Sequence, residues 1–273
     1  REAQAGVQEP LIGLKESPLQ RRQSLLRFAF GAMTAVLMAA PSTAMADTSP
    51  AQIEPLTQAT IGAAINGIVV ELREGYVFPD KGAQAADALE QSLKESAYAG
   101  VTDPAQFAQK VTDELRAITK DGHMRVIFGS PFGNQSVPAA PEGAGFEAKR
   151  LDGDIGLIRL TRFMPPDVFK PAADEAMRSL SDTRALIIDM QTNGGGHPAS
   201  VAYLVSYFLD VEKPIHINSL IWRNRGTDTF RTETFWSSPT PLRYLGKPVY
   251  VLVGPKTYSA GEEFAYDLQA LKR

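Results

Sequence analysis

The sequence predicts an α/β protein in which a small helical N-terminal subdomain precedes a mostly parallel sheet with flanking helices. Three observations predict it. Between 57 and 119, apolar residues recur at helical spacing and no strand-like run intervenes. Farther on, the short apolar runs Ile155–Leu160, Ala185–Met190 and Pro248–Gly254 read as buried strands. Helical patterns stand between them, and strands that alternate with helices argue for a parallel layer.

Taken in order, the first element is a leader. Arg21, Arg22 and Arg27 precede Phe28–Ala40, an apolar run of 13 residues, and Ala44-Met45-Ala46 then offers a small-x-small cleavage site before Asp47. This is the pattern of a secretory signal peptide. The run is short of the roughly 20 residues that a membrane helix needs. Arg21-Arg22 hints at twin-arginine export. The expectation is an exported protein, periplasmic or extracellular, with no stable membrane span after cleavage. Removal of residues 1–46 shifts the formal net charge from −3 to −5. That balance gives no reason to expect nucleic acid as a partner. The chain has no cysteine, which excludes disulfides, a thiol nucleophile and thiolate metal sites.

In the mature part, Ile61, Ile65, Ile68, Val69 and Leu72 mark an amphipathic helix over 57–74, broken by Gly75-Tyr76-Val77-Phe78-Pro79. A second helix runs from about Gly82 to Ser96, with Ala85, Ala88, Leu89 and Leu93 inward. Thr102-Asp103-Pro104 caps a third, with Phe107, Val111, Leu115 and Ile118 on one face. Lys120-Asp121-Gly122-His123 turns into a short strand, Met124 to Phe128. Residues 129–147, rich in Gly and Pro, read as loop. The strand at Ile155, a helix at about 166–180 and the strand at Ala185 follow. Gly194-Gly195-Gly196 opens the next helix, which buries Val201, Leu204, Val205 and Phe208. Strand and loop material fills 214–236. The strand Val249 to Val253 and a helix over 260–272 end the sequence.

Two strand-to-helix turns could carry chemistry. Thr257-Tyr258-Ser259-Ala260-Gly261-Glu262-Glu263 sets a serine hydroxyl beside the unpaired N–H groups of a helix start, where an oxyanion is favoured. An N-cap serine is the commoner use of such a residue. Asp189 to Gly196 ends in three glycines whose N–H groups can form an anion nest. The spacings of phosphate-binding loops are missing, which disfavours a nucleotide site. A serine nucleophile needs a base, most often histidine. His216 alternates with apolar neighbours as a strand-face residue. His197 lies in the glycine turn and can be near a site without being its base. His123 stands where the helical part meets the sheet, a favoured position for a cleft. No two histidines are spaced as a metal-ligand pair.

Three segments in this order resemble the tail-specific (C-terminal processing) serine peptidases: Asp121-Gly122-His123, Asp189 to Gly196 and Tyr258-Ser259-Ala260-Gly261-Glu262. They are most similar to the branch that holds the tricorn protease core and the interphotoreceptor retinoid-binding protein modules, and Gly75 to Pro79 resembles that branch too. The likeness covers about residues 57–273. It implies a crotonase-like or ClpP-like core. Ser259 would be the nucleophile and His123 the general base. The backbone N–H of Ala260 and that of Gly195 or Gly196 would form the oxyanion hole. No cofactor or metal is implied. The substrate would be a peptide or unfolded protein, cut by acyl transfer to Ser259 and then to water.

The sequence also departs from the family. The tail-specific branch proper inserts a PDZ domain after the first motif, and the 31 residues between His123 and Ile155 cannot hold one. That branch uses a lysine well beyond the serine, whereas Lys272 lies too close. The tricorn-like branch orients its histidine through further residues, including a downstream glutamate in a region that the 273 residues do not include, and Gln191 stands where arginine is frequent. The expected organisation is an extension plus signal peptide over 1–46, a helical subdomain over 47–122 and an α/β catalytic core over 123–273 that is incomplete at its C-terminus. The competing reading is a non-catalytic module on the same scaffold that binds apolar ligands or peptide ends.

Overall fold

Helix caps set the first part of the fold. In the computed structural model, which describes residues 54–128, 145–210 and 212–273, Thr57 and Thr60 cap α1 (Gln58–Gly75) reciprocally. Proline opens α2 (Pro79–Lys94), where its missing N–H costs nothing. Asp103 Oδ1 accepts from the N–H groups of Ala105 and Gln106 at the start of α3 (Pro104–Thr119). The faces buried are those expected, save that Ala86 rather than Ala88 lies inward on α2. Ile61, Ile65, Leu72, Leu89, Val111 and Leu115 form the centre of this first core. α3 stops at Lys120 in the left-handed conformation, and the chain turns at once into Asp121-Gly122-His123.

The second core is built on a four-stranded sheet. β1 (Phe146–Leu151), β2 (Ile155–Leu160), β3 (Ala185–Asp189) and β6 (Val249–Leu252) lie in the order β1-β2-β3-β6. β1 is antiparallel to β2, while β2, β3 and β6 run parallel. The helices α4 (Pro166–Ser179), α5 (Pro198–Ser206) and α6 (Ala260–Ala270) cover the face that carries Ile158, Leu160, Leu186 and Ile188. Phe169, Met177, Leu204, Phe208 and Phe264 fill the space between. A two-stranded antiparallel ribbon, β4 (His216–Arg223) with β5 (Phe230–Trp236), completes the described fold. This is the α/β class that the sequence predicts, and no PDZ domain stands among the described residues.

Three expectations are corrected. Met124 to Phe128 is not a strand: Thr112 Oγ1 accepts from the Val126 N–H and Arg116 Nε donates to the Met124 carbonyl, so α3 takes hydrogen bonds that a neighbouring strand would take. Phe146 and Glu147, at the end of the expected loop, instead open a strand, Phe146–Leu151, paired along its length with β2. β6 is not buried on both faces. It ends the sheet order, and Tyr250, Leu252 and Val253 are exposed. The leader over 1–46 lies outside the described residues. Among the described residues, no helix is long and apolar enough to cross a membrane.

Candidate active site

The carboxyl ends of β2, β3 and β6 feed three turns that meet at one edge of the sheet, the usual place for a site in an open parallel sheet. After β6, Thr257 fixes the third turn. Its N–H donates to the Gly254 carbonyl, its hydroxyl donates to the Met190 carbonyl at 2.8 Å, and the Gly254 N–H donates back to Thr257 Oγ1. The Tyr258 N–H donates to the Asn193 carbonyl at 2.9 Å. Ser259 then takes φ 55° and ψ −119° immediately before α6 and is buried. An ordinary N-cap residue is extended. A non-glycine residue with this backbone is strained and needs its surroundings to hold it there. Strand, strained serine and helix in succession have the arrangement of a nucleophile elbow. The Glu262 carboxylate accepts from the Ser259 N–H at 2.8 Å.

The glycine turn after β3 makes the close approach possible. A Cβ on Gly195 would stand 2.9 Å from the Ser259 Cβ, and Gly195 has φ 95°. A Cβ on Gly196 would stand 2.0 Å from the Phe163 carbonyl oxygen. Phe163 and His197 exchange backbone bonds with this turn: the Phe163 N–H donates to Gly195 and the His197 N–H to Phe163. Asn193, fully buried, closes it. Its Nδ2 donates to the Leu160 carbonyl at 3.0 Å, and its Oδ1 accepts from the Gly195 N–H at 2.8 Å. The Gly195 N–H is therefore engaged. Those of Gly196 and Ala260 have no acceptor among the described residues. Two such donors can stabilise an oxyanion.

His123 comes to the same place from the helical side. Its ring lies on that of Tyr258, the residue before Ser259, with centroids 4.5 Å apart. The turn is held from α3 and from Tyr76. Arg116 donates to the carbonyls of Gly122 and Met124, on either side of the histidine. Asp121 Oδ1 faces His123 Nδ1 at 3.1 Å and accepts the His123 backbone N–H at 2.8 Å, while Tyr76 donates to Asp121 Oδ2 at 3.1 Å. Burial opposes ionisation of Asp121, but the bonds from the His123 ring and N–H and from Tyr76 outweigh it and hold the carboxyl below its ordinary value.

The structure thus brings Ser259, Ala260, Gly195, Gly196 and Tyr258 into contact or one-residue adjacency, with His123 against Tyr258. The other histidines lie elsewhere in the hydrogen-bond pattern: His197 caps α5 through Nδ1, and His216 Nε2 pairs with Ser219 Oγ on β4. Asn193, Asp121, Tyr76 and Arg116, none of them a candidate from the sequence, hydrogen-bond around these turns. Asp121 and Asn193 stand inside the motifs, where a polar residue in a turn is the one available signal. Tyr76 is buried and 45 residues before Asp121, in the segment Gly75 to Pro79, while Arg116 is exposed on α3, six residues before Gly122, and stands in none of the three motifs.

Residues 154–273 match the sequence profile of peptidase family S41, and residues 51–144 match that of the N-terminal domain of this peptidase in eukaryotic IRBP. Among solved structures, a putative peptidase from Parabacteroides merdae is 19% identical, with 78% of this chain and 72% of that chain covered and a TM-score of 0.51, which shows a shared fold. A lipoprotein from Streptococcus agalactiae is 15% identical over 81% of this chain and 75% of that chain, with a TM-score of 0.41. The photosystem II D1 C-terminal processing protease is 23% identical over 46% of this chain, with a TM-score of 0.36, and the match spans 33% of the protease.

Proposed function

The chain belongs to peptidase family S41, and from that premise we propose that it is an exported serine endopeptidase that works through an acyl-enzyme on Ser259. Ser259 Oγ attacks the peptide carbonyl carbon while His123 takes its proton. The carbonyl oxygen becomes an oxyanion and accepts from the N–H groups of Gly196 and Ala260. As the tetrahedral species collapses, the C–N bond breaks and the protonated His123 gives its proton to the leaving amine. Water, deprotonated by His123, then attacks the ester, and Ser259 leaves as the hydroxyl. In this reading the helical part over 47–122 borders the turn that supplies the base, and 123–273 supplies the nucleophile. The leader pattern over 1–46 supports export.

One observation carries the reading: Ser259 at φ 55° and ψ −119°, buried against Gly195. Ser259 also closes a capping box with Glu262, but an ordinary cap is extended, whereas this strained backbone is the one that presents a nucleophile. The test is labelling of the secreted protein with a fluorophosphonate, the adduct and the N-terminus being mapped together by mass spectrometry. The expected result is a label on Ser259, none in Ser259→Ala or His123→Ala, and a chain that begins at Asp47. A folded protein that takes no label is the binding-module outcome and ends the peptidase reading. A retained leader ends the export reading.

A further inference from the structure

We propose that Asp121 is the positioning residue of the site: its carboxylate fixes the ring and the tautomer of His123. The inference rests on the reading of Ser259 and His123 as nucleophile and base, and it adds a residue that holds the base in place. An ionised carboxylate can only accept. Asp121 Oδ1 stands 3.1 Å from His123 Nδ1, so in the neutral imidazole Nδ1 carries the hydrogen and Nε2 carries the lone pair. A base that is to take a hydroxyl proton needs that lone pair at its far nitrogen.

A simple turn explains part of the geometry and not the rest. Aspartate often accepts the N–H two residues on, as Asp121 does from His123 at 2.8 Å. Such a turn does not require the ring contact. Nor does it require a buried tyrosine on the second oxygen, yet Tyr76 donates to Oδ2 at 3.1 Å. The Asp121 N–H is itself tied to Thr119 Oγ1 at 3.2 Å. One guanidinium, Arg116, grips the carbonyls of Gly122 and Met124 on either side of the histidine. The carboxylate therefore has a fixed place, partly shielded from water, with one oxygen given to the ring and the other to Tyr76. That is the arrangement by which a third group orients a catalytic imidazole.

The experiment compares the full chain with Asp121→Asn, Asp121→Glu, Tyr76→Phe and His123→Ala, each checked for native circular dichroism. Two readouts are taken: the rate of fluorophosphonate labelling, and the imidazole nitrogen resonances of His123. The expected loss of labelling in Asp121→Asn is on the order of 10³-fold. Asp121→Glu restores part of the rate, and Tyr76→Phe costs a few-fold. The wild-type resonances report hydrogen at Nδ1, and Asp121→Asn mixes the tautomers. Wild-type labelling in Asp121→Asn, with His123→Ala inert, overturns the inference and leaves the serine–histidine reading standing. Full labelling in His123→Ala overturns both. A chain that takes no label at all removes the peptidase reading, and the resonances still decide the tautomer: hydrogen at Nε2 in the wild type overturns the inference.

Discussion

Ser259 keeps an unfavourable backbone because its neighbours leave it no other. Gly195 lets the preceding turn come within van der Waals contact of the serine, and any side chain there would push the two turns apart. Asn193 fixes that turn from inside, between the Leu160 carbonyl and the Gly195 N–H. Asn193→Ala leaves both of those groups buried without a partner, at about 1–3 kcal/mol each. The expected result is destabilisation on the order of 2–4 kcal/mol by urea denaturation, with loss of Ser259 labelling even in the fraction that stays folded. An unchanged midpoint would show that water replaces the amide and that Asn193 is not the fixing residue.

The helix that starts at Ser259 also carries a buried acid pair. Glu263 and Asp267 lie one turn apart on α6, and Asn218 of β4 donates through Nδ2 to both, to Asp267 Oδ2 at 3.0 Å. Glu263 Oε2 and Asn218 Oδ1 are buried without a hydrogen-bond partner among the described residues. Burial pushes the Glu263 carboxyl up to about 7. Burial, and then the charge of Glu263, push Asp267 up to about 8, against the bond from Asn218. Both folded values exceed the unfolded ones, so the native state binds more protons between the ordinary carboxylate range and about 8. Their stabilisation is complete below that range and is lost as pH rises through about 7 and about 8. Glu263→Gln is therefore expected to leave stability near pH 5 unchanged and to raise it near pH 9, on the order of 2 kcal/mol. Thermal melts across that span measure it. A wild-type melting temperature that is flat across the span contradicts the assignment. Because the Glu263 N–H donates to the Ser259 carbonyl at 3.0 Å, the same ionisation bears on the start of the helix.

At the scale of the whole molecule, the site is assembled from two parts of the chain. The His123 turn belongs to the end of α3, and the Ser259 turn belongs to the sheet. Arg223 joins the two parts. Its side chain is nearly buried, and Nη1 donates to the carbonyls of Arg73 and Tyr76 at 3.0 and 3.1 Å, while Nε donates to Thr227 at 2.6 Å. Arg225 adds a paired contact to Glu71, which is exposed and contributes little. Arg223→Ala is expected to cost about 2–3 kcal/mol in urea denaturation, the worth of its charged hydrogen bonds. It should lower the labelling rate of Ser259 more than it lowers stability, because Tyr76 and Asp121 shift with the helices. An equal rate at a reduced midpoint would mean that the two parts do not depend on this arginine for their register. The sequence by itself determined the helices over 57–119, the strands at Ile155 and Ala185, and the candidacy of Ser259, His123 and the glycine turn, because periodicity, caps and turn chemistry are local. It could not determine that Met124 to Phe128 bonds to α3 instead of a strand, or that β6 leaves Tyr250 and Leu252 exposed among the described residues, since both depend on which elements pack together in space. The engagement of Gly195 by Asn193 and the meeting of Tyr76, Asp121 and His123 were decided by tertiary structure alone: the hydrogen bond between Tyr76 and Asp121 joins residues 45 apart in sequence, and such pairings leave no periodic trace.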